Sequence, residues 1–164
     1  MPRIPRLRAL AAALLTCALL AGGAGCGGGD GDGGPRHVGE VLDRTDSEGH
    51  HYRRIPEKGA PEVGLIVKPV TGPAGGWDVR IWVRRFRLSP EGTPARAVHG
   101  RGYALLYLDG RRIARLRAVD HRIPGSRLSR GTHHLTARLY ADDHTVWAVA
   151  EDPVEATADL TASP

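Results

Sequence analysis

The chain has 164 residues and a formal net charge of +5, from 23 Lys and Arg side chains and 18 Asp and Glu side chains. Arg3, Arg6 and Arg8 lie in a segment that we expect to be cleaved, and without them 20 basic side chains remain against 18 acidic ones, a net charge of +2. So small a charge gives no support for a nucleic-acid partner. The length remaining after cleavage suits one domain of about 100 to 130 residues.

The N-terminal residues have the pattern of a secretory signal peptide. A basic stretch, Met1–Arg8, precedes the apolar run Ala9–Ala21. This run is shorter than the roughly 20 apolar residues of a membrane-spanning helix, and it ends in small residues, as a processing site does. We therefore predict a signal peptide over residues 1–25.

Cys26 follows Gly23-Ala24-Gly25 and precedes the sequence GGGDGDGG. This pattern resembles the lipobox of bacterial lipoproteins, although Gly23 stands where the lipobox usually has leucine. The resemblance implies that Cys26 becomes the first residue of the mature chain and carries acyl chains such as palmitate. The protein would then be held on the extracytoplasmic face of the cell membrane, without an internal disulfide. The alternative is a secreted protein that is cleaved nearby and keeps Cys26 as a free thiol.

Residues 26–60 are polar and rich in Gly and Pro, with no sustained periodicity. This composition predicts a flexible tether between the membrane and the folded domain. His37, His50 and His51 fall within it. We interpret them as part of a solvated segment, with weak metal binding as the alternative.

From residue 61 onward, runs of alternating apolar and polar residues predict strands. The apolar phase slips at Arg84-Arg85, which predicts a β-bulge or a strand that changes sheets. Ser89–His99 and Ala118–Arg130 are predicted connections, and Asp142–His144 is a predicted tight corner. The predicted strand regions are Val63–Val67, Trp77–Leu88, Tyr103–Leu108, Arg111–Leu116, His134–Leu139, Val146–Ala150 and Val154–Leu160.

Tyr103–Leu116 has the strongest local pattern, a β-hairpin centred on Asp109-Gly110. Both residues tolerate the positive φ angles of a type I′ turn. Both faces of the hairpin are largely apolar, which predicts a place in the middle of a layered fold. The register that this turn predicts pairs Leu108 with Arg111, Leu106 with Ile113, and Tyr103 with Leu116.

These elements together predict an all-β domain over residues 61–164, a sandwich of about seven antiparallel strands of immunoglobulin-like or cupredoxin-like type. Trp77 and Trp147 occupy apolar positions of their strands and are predicted to lie in the core. Trp82 shares a face with arginines. It is either an exposed aromatic on a binding face or an aromatic covered by a neighbouring loop.

Several short motifs occur in sequence order: Gly76–Val79, Phe86–Glu91, Gly102–Gly110, Arg115-Leu116, Gly131–His133 and Asp142–His144. Their order resembles a poorly characterised group of bacterial exported proteins that contain histidines. The group implies a β-sandwich and a site for copper or another soft metal.

The chain departs from this group at two hairpin histidines, where it has Tyr103 and Leu105. His133 and His144 remain as candidate metal ligands. A straight strand between them would separate them by more than about 30 Å, so each would need other partners, such as His99 or His121.

Three functions follow from these patterns. The first is a non-catalytic lipoprotein whose sandwich binds an unknown protein or small-molecule partner or interacts with the envelope, with no cofactor. The alternative is an extracytoplasmic carrier of copper or another metal. An enzyme is not expected, because the mature chain has no GxSxG, HExxH or phosphate-binding loop. Ser126 and Ser129, near His121 in sequence, are interpreted as a polar loop, and Asp142–His144 as a turn rather than a base with its orienting group.

Overall fold

The computed structural model describes residues 38–72 and 75–162. Cys26, the signal peptide and the glycine-rich start of the predicted tether lie outside the described residues. The described chain is all-β, and its only helical element is a 3₁₀ turn at Gly125–Arg127. The strands are β1 (Glu40–Thr45), β2 (His51–Ile55), β3 (Glu62–Pro69), β4 (Trp77–Arg84), β5 (Arg87–Leu88), β6 (Arg101–Leu108), β7 (Arg111–Leu116), β8 (Asp120–Ile123), β9 (Gly131–Tyr140), β10 (Val146–Val149), β11 (Asp152–Pro153) and β12 (Glu155–Ala162).

The strands form two sheets. The larger, curled sheet has the order β1-β2-β10-β9-β6-β5, with β7 beside β6, β11 beside β10 and β12 beside β9. The smaller sheet has the order β3-β4-β8. Between them lies an apolar core that includes Ile81, Leu106, Leu139 and Trp147, each at most 1% exposed. The arrangement is consistent with the predicted β-sandwich, and Trp147 lies in the core as predicted.

The turn of the central hairpin confirms the sequence prediction. Asp109 and Gly110 have φ angles of 50° and 77°, and Leu108 lies opposite Arg111. Every side chain of β6 from Tyr103 to Leu108 is buried, so this strand lies between two layers of side chains.

The predicted register of the hairpin is wrong beyond its first pairs. Ile113 is an additional residue in β7, so Leu106 faces Ala114, and Leu116 faces Ala104, one position from its predicted partner. The bulge reverses the side on which later residues of β7 point. It places the apolar Leu116 in the core between the sheets. It turns Arg115 and Arg117 to the opposite face, where they lie over the Tyr103 ring.

The phase slip at Arg84-Arg85 marks a strand that changes sheets. β4 belongs to the smaller sheet, whereas β5 pairs in parallel with β6 of the larger sheet. Arg85 between them has a φ angle of 52°.

The strands β1, β2 and β8 were missed because their sequences lack a clear apolar alternation. Residues 38–60 are not all tether: β1 and β2 form there, and β2 pairs in parallel with β10. In β2 only Tyr52 and Ile55 are buried. The third missed strand, β8, lies within the predicted connection Ala118–Arg130 and pairs with β4.

Candidate functional site

All four tyrosines of the chain lie on the face of the larger sheet that points away from the smaller one. We call Tyr52, Tyr103, Tyr107 and Tyr140 the tyrosine cluster. The alternation of β6 turns Tyr103 and Tyr107 to this face, and Tyr140 of β9 lies opposite Tyr103. The rings of Tyr103 and Tyr140 stack with centroids 5.5 Å apart and planes inclined by 8°. The cluster therefore forms a second core outside the sandwich.

A chain of hydrogen bonds joins the cluster to the turn between β1 and β2. The hydroxyl oxygens of Tyr107 and Tyr140 are 2.7 Å apart, and the Tyr140 hydroxyl donates to Oδ2 of Asp46 at 2.6 Å. Oδ1 of Asp46 accepts from the backbone N–H groups of Glu48 and His50, each at 2.9 Å. Because the Asp46 side chain is 1% exposed, these bonds replace its hydration.

The charge states of the network follow from these contacts. Burial opposes ionisation of Asp46, but the bonds from Tyr140 and from the backbone of His50 and Glu48 outweigh it and lower the pKa of Asp46. Burial, together with the neighbouring carboxylate, raises the pKa of Tyr140. Asp46 is thus ionised and Tyr140 protonated at neutral pH, which suits a fixed hydrogen-bond network rather than proton transfer.

Arginines cover the rim of the tyrosine cluster. The guanidinium carbons of Arg115 and Arg117 lie 4.6 and 5.2 Å from the centroid of the Tyr103 ring, and that of Arg138 lies 5.3 Å from the Tyr107 ring. These are cation–π distances. The cluster is filled by its own side chains.

The structure places the two predicted metal ligands in separate groups. In His133, Nδ1 lies 2.6 Å from Oδ2 of Asp109, and Nε2 lies 2.9 Å from the carbonyl oxygen of Ser129. Both ring nitrogens thus face acceptors, and the bond to Asp109 raises the pKa of His133. His144 follows β9 at its other end, and its Nδ1 lies 2.8 Å from the Tyr103 hydroxyl.

The other candidate ligands do not join them. The ring of His99 packs edge-on against Trp147, with centroids 6.3 Å apart, and His121 lies in β8 of the smaller sheet. Within residues 38–72 and 75–162, no group of three or more His, Cys, Asp or Glu side chains is placed to hold a metal ion.

The corner after β9 contains a buried carboxylate. Asp142 accepts a 2.7 Å bond from the hydroxyl of Ser89, and its oxygens lie 3.4 Å from Arg101 and 3.5 Å from Arg117. The next residue, Asp143, pairs with Arg53 at 2.6 Å. These contacts fasten the corner to β2, β6 and the segment after β7.

A second aromatic surface lies on the outer face of the smaller sheet, the face that points away from the core. Strand alternation places the even-numbered residues of β3, β4 and β8 there. A groove of about 640 Å³ crosses this face. It is lined by Ile66, Lys68, Asp78, Val79, Arg80, Asp120, His121 and Arg122.

Trp82 lies on the outer face, two residues along β4 from Arg80, which lines the groove. It is 43% exposed, which decides between the two predicted alternatives in favour of an exposed aromatic. Its indole packs against β3 at Gly64, the residue opposite it. A Cβ atom at Gly64 would lie only 2.1 Å from Cε2 of Trp82, so a glycine here allows the indole to lie close to the strand.

Cross-strand ion pairs line the groove. Arg80 binds Asp120 through two bonds, Nε to Oδ1 at 2.6 Å and a terminal nitrogen to Oδ2 at 3.1 Å. Arg122 donates to Asp78 at 2.8 Å. His121 lies opposite the buried Val79, on the side of β8 that faces away from the outer face, and burial lowers its pKa, which keeps its imidazole neutral.

Sequence reasoning found Trp82 but missed most of both surfaces. Asp46 and Tyr52 fell in the predicted tether, although the Asp46–His50 segment carries the residue types of a tight turn. Asp120 and Arg122 fell in a predicted connection, so nothing placed them beside β4. Asp120 is opposite in charge to Arg80, and Arg122 is opposite in charge to Asp78. These charges indicate cross-strand pairing, but only once β8 has been recognised as a strand.

No protein-family model matches this chain, and neither does any curated protein or solved structure. Along the described part of the chain, no helix is long and apolar enough to cross a membrane.

Proposed function

We propose that this protein is a non-catalytic, lipid-anchored binding protein of the extracytoplasmic face of the cell membrane, with the outer face of β3, β4 and β8 as its binding surface. The anchor is Cys26, after the signal peptide of residues 1–25. The glycine-rich residues that follow act as a spacer between the lipid and the domain. The sandwich is of the immunoglobulin-like or cupredoxin-like type.

The exposure of Trp82 beside an open groove is the observation that carries this assignment. Trp is the residue type that most often contributes strongly to binding when it lies at a surface. An exposed aromatic next to a polar groove is typical of ligand-binding surfaces. By contrast, the aromatic rings of the tyrosine cluster are buried, and three of their hydroxyls bond to other side chains, so they offer no free surface to a partner.

The anchor can be tested in cells with an alkyne analogue of palmitate. Full-length protein should incorporate the label and stay in the membrane fraction, while Cys26→Ser should lose both properties. Equal labelling of the two proteins would contradict lipidation at Cys26.

The binding surface can be tested with a photo-crosslinking amino acid placed at Trp82 in the lipid-anchored protein. The matched control is the same amino acid at Val41 of β1, which is 47% exposed on the other sheet. We expect envelope material to crosslink from position 82 and much less from position 41. Equal yields from both positions would contradict a binding role for the outer face.

A further inference from the structure

We infer that the outer face binds a glycan, a chain of β-linked pyranose rings that lies along the groove and stacks one ring on Trp82. The inference rests on the proposed binding surface and names the chemistry of its ligand. Three features carry it: the indole, the polar lining of the groove and the balance of charges.

The indole supplies the stacking surface. Because Gly64 has no side chain, Trp82 packs against β3 and leaves 43% of its surface exposed. A pyranose ring with equatorial substituents has a flat face of C–H groups, and such a face packs well on the electron-rich face of an aromatic ring. Ile66, which is 44% exposed on the neighbouring strand, lines the groove diagonally across from Trp82 and adds a second apolar contact.

The groove supplies hydrogen-bonding groups in fixed positions. The two-bond pairing of Arg80 with Asp120 holds both side chains in one orientation, and the bond from Arg122 orients Asp78. Each of these groups retains further donors or acceptors. Sugar hydroxyls both donate and accept, so neighbouring hydroxyls can bond to a guanidinium and a carboxylate together. The volume of about 640 Å³ falls in the range of about 300 to 1,000 Å³ that is typical of small-ligand sites.

The charges argue against other occupants. Arg80 and Arg122 are neutralised by Asp120 and Asp78, which leaves Lys68 as the one lining cation without an ion pair to a described residue. A polyanion or an acidic lipid surface would require several unpaired cations.

A second copy of the chain is also a poor fit. A stable interface buries about 1,200 to 2,000 Å² with a largely apolar centre. Here Ile66 and Trp82 are the exposed large apolar side chains of the face. The residue opposite Ile66 is the charged Arg80, not Trp82.

The test uses full-length protein in a zwitterionic detergent without a sugar headgroup. The probes are the hexasaccharides of β-1,4-linked N-acetylglucosamine and of β-1,4-linked glucose, measured by calorimetry and tryptophan fluorescence. We expect saturable binding of at least one probe, with a blue shift in emission because Trp82 becomes covered. Trp82→Ala should weaken binding at least about tenfold, while Trp82→Phe should retain part of it.

Two further variants distinguish a loss of stacking between the ligand and Trp82 from a general loss of folded protein. Gly64→Ala keeps every polar group but displaces the indole, so it should also weaken binding. Val41→Ala removes an exposed apolar side chain of the other sheet and should change nothing. Circular dichroism and thermal melting establish that each variant is folded.

The outcomes are distinct. Failure of both hexasaccharides to bind, while position 82 still crosslinks in cells, would overturn the glycan inference and leave the binding surface intact. Equal affinity of wild type and Trp82→Ala would overturn the stacking site. Loss of crosslinking at position 82 as well would overturn the proposed function itself.

Discussion

The tyrosine cluster and the outer face of the smaller sheet are both aromatic surfaces, but their polar groups differ in whether all their hydrogen-bonding capacity is used within the protein. In the cluster, the hydroxyls of Tyr103, Tyr107 and Tyr140 all bond to other side chains of the chain. On the outer face, Trp82 and the ion pairs of the groove remain open to solvent. Buried polar groups must find partners within the protein, whereas exposed ones keep capacity for a ligand. The cluster therefore stabilises the fold, whereas the exposed groups of the outer face keep capacity for a ligand.

The largest expected difference between the two surfaces is in how much a substitution in each lowers the free energy of unfolding. Tyr140→Ala removes a fully buried ring that stacks on Tyr103 and bonds to Asp46, so it should lower the free energy of unfolding by about 3–5 kcal/mol. Trp82→Ala should cost no more than about 1 kcal/mol, because much of the indole is already exposed. Urea denaturation measures both. A larger loss for Trp82→Ala would reverse the assignment of the two surfaces.

A smaller change isolates the carboxylate of the cluster. Asp46→Asn replaces hydrogen bonds to a charged acceptor with bonds to a neutral one, so it should lower the free energy of unfolding at pH 7 by about 1.5–3 kcal/mol. Since folding lowers the pKa of Asp46 from its ordinary value of 3.8, its contribution is present above about pH 4 and lost as pH falls through the folded pKa.

The pH dependence of Asp46→Asn provides its own control. Urea denaturation of wild type and variant between pH 7 and pH 2.5 should give two curves that converge in acid. A constant gap between them would mean that the charge of Asp46 is not the source of the difference.

At the turn of the central hairpin, polar groups also bond to one another, as they do in the tyrosine cluster. Unlike the cluster, this turn lies near the surface. His133 is held between Asp109 and the Ser129 carbonyl, and folding raises its pKa above the ordinary 6.5. A raised histidine pKa gives stability that is complete below about pH 6.5 and is lost as pH rises through the folded pKa. The advantage of wild type over Asp109→Asn should therefore be larger at pH 6 than at pH 9.

Asp109→Asn is a suitable variant because an asparagine oxygen can still accept the bond from the His134 N–H, which Oδ1 of Asp109 accepts at 2.9 Å. Thermal melting at the two pH values measures the difference. If wild type were more stable than Asp109→Asn by the same amount at pH 6 and at pH 9, the charge of His133 would contribute nothing to the stability of the hairpin.

The sequence predicted what depends on local alternation and turn chemistry. The Asp109-Gly110 turn followed from residue types alone. The phase slip at Arg84-Arg85 predicted a bulge or a change of sheets, and the structure has the change of sheets. The bulge at Ile113 could not be predicted from residue types. Leu116 is apolar and fits either face of the hairpin, so its residue type does not indicate that the register shifts before it. Strand β2 was missed for a related reason: its partner β10 follows it by more than ninety residues, and long-range pairing leaves little trace in a polar segment.

The outer face and the tyrosine cluster also differ in how much of each could be predicted from local sequence. Trp82 and its flanking arginines followed from the alternation of β4, so one element of the outer face could be predicted. The groove could not, because Asp120 comes from a strand of four residues without an apolar pattern. The tyrosine cluster depends on Asp46 and Tyr140, which are 94 residues apart in sequence and meet only because the pairing of β2 with β10 makes β1 and β2 part of the larger sheet.

The smallest expected effect concerns the ion pair of Arg80 with Asp120, which is more than 60% exposed on both sides. A double-mutant cycle with Arg80→Met and Asp120→Asn should give a coupling energy close to zero in the free energy of unfolding, because solvent screens exposed charges. In hexasaccharide binding the same cycle should show clear coupling, since each partner orients the other toward the ligand. Coupling in stability but not in binding would make the pair a structural tie between β4 and β8, like the closed contacts of the tyrosine cluster.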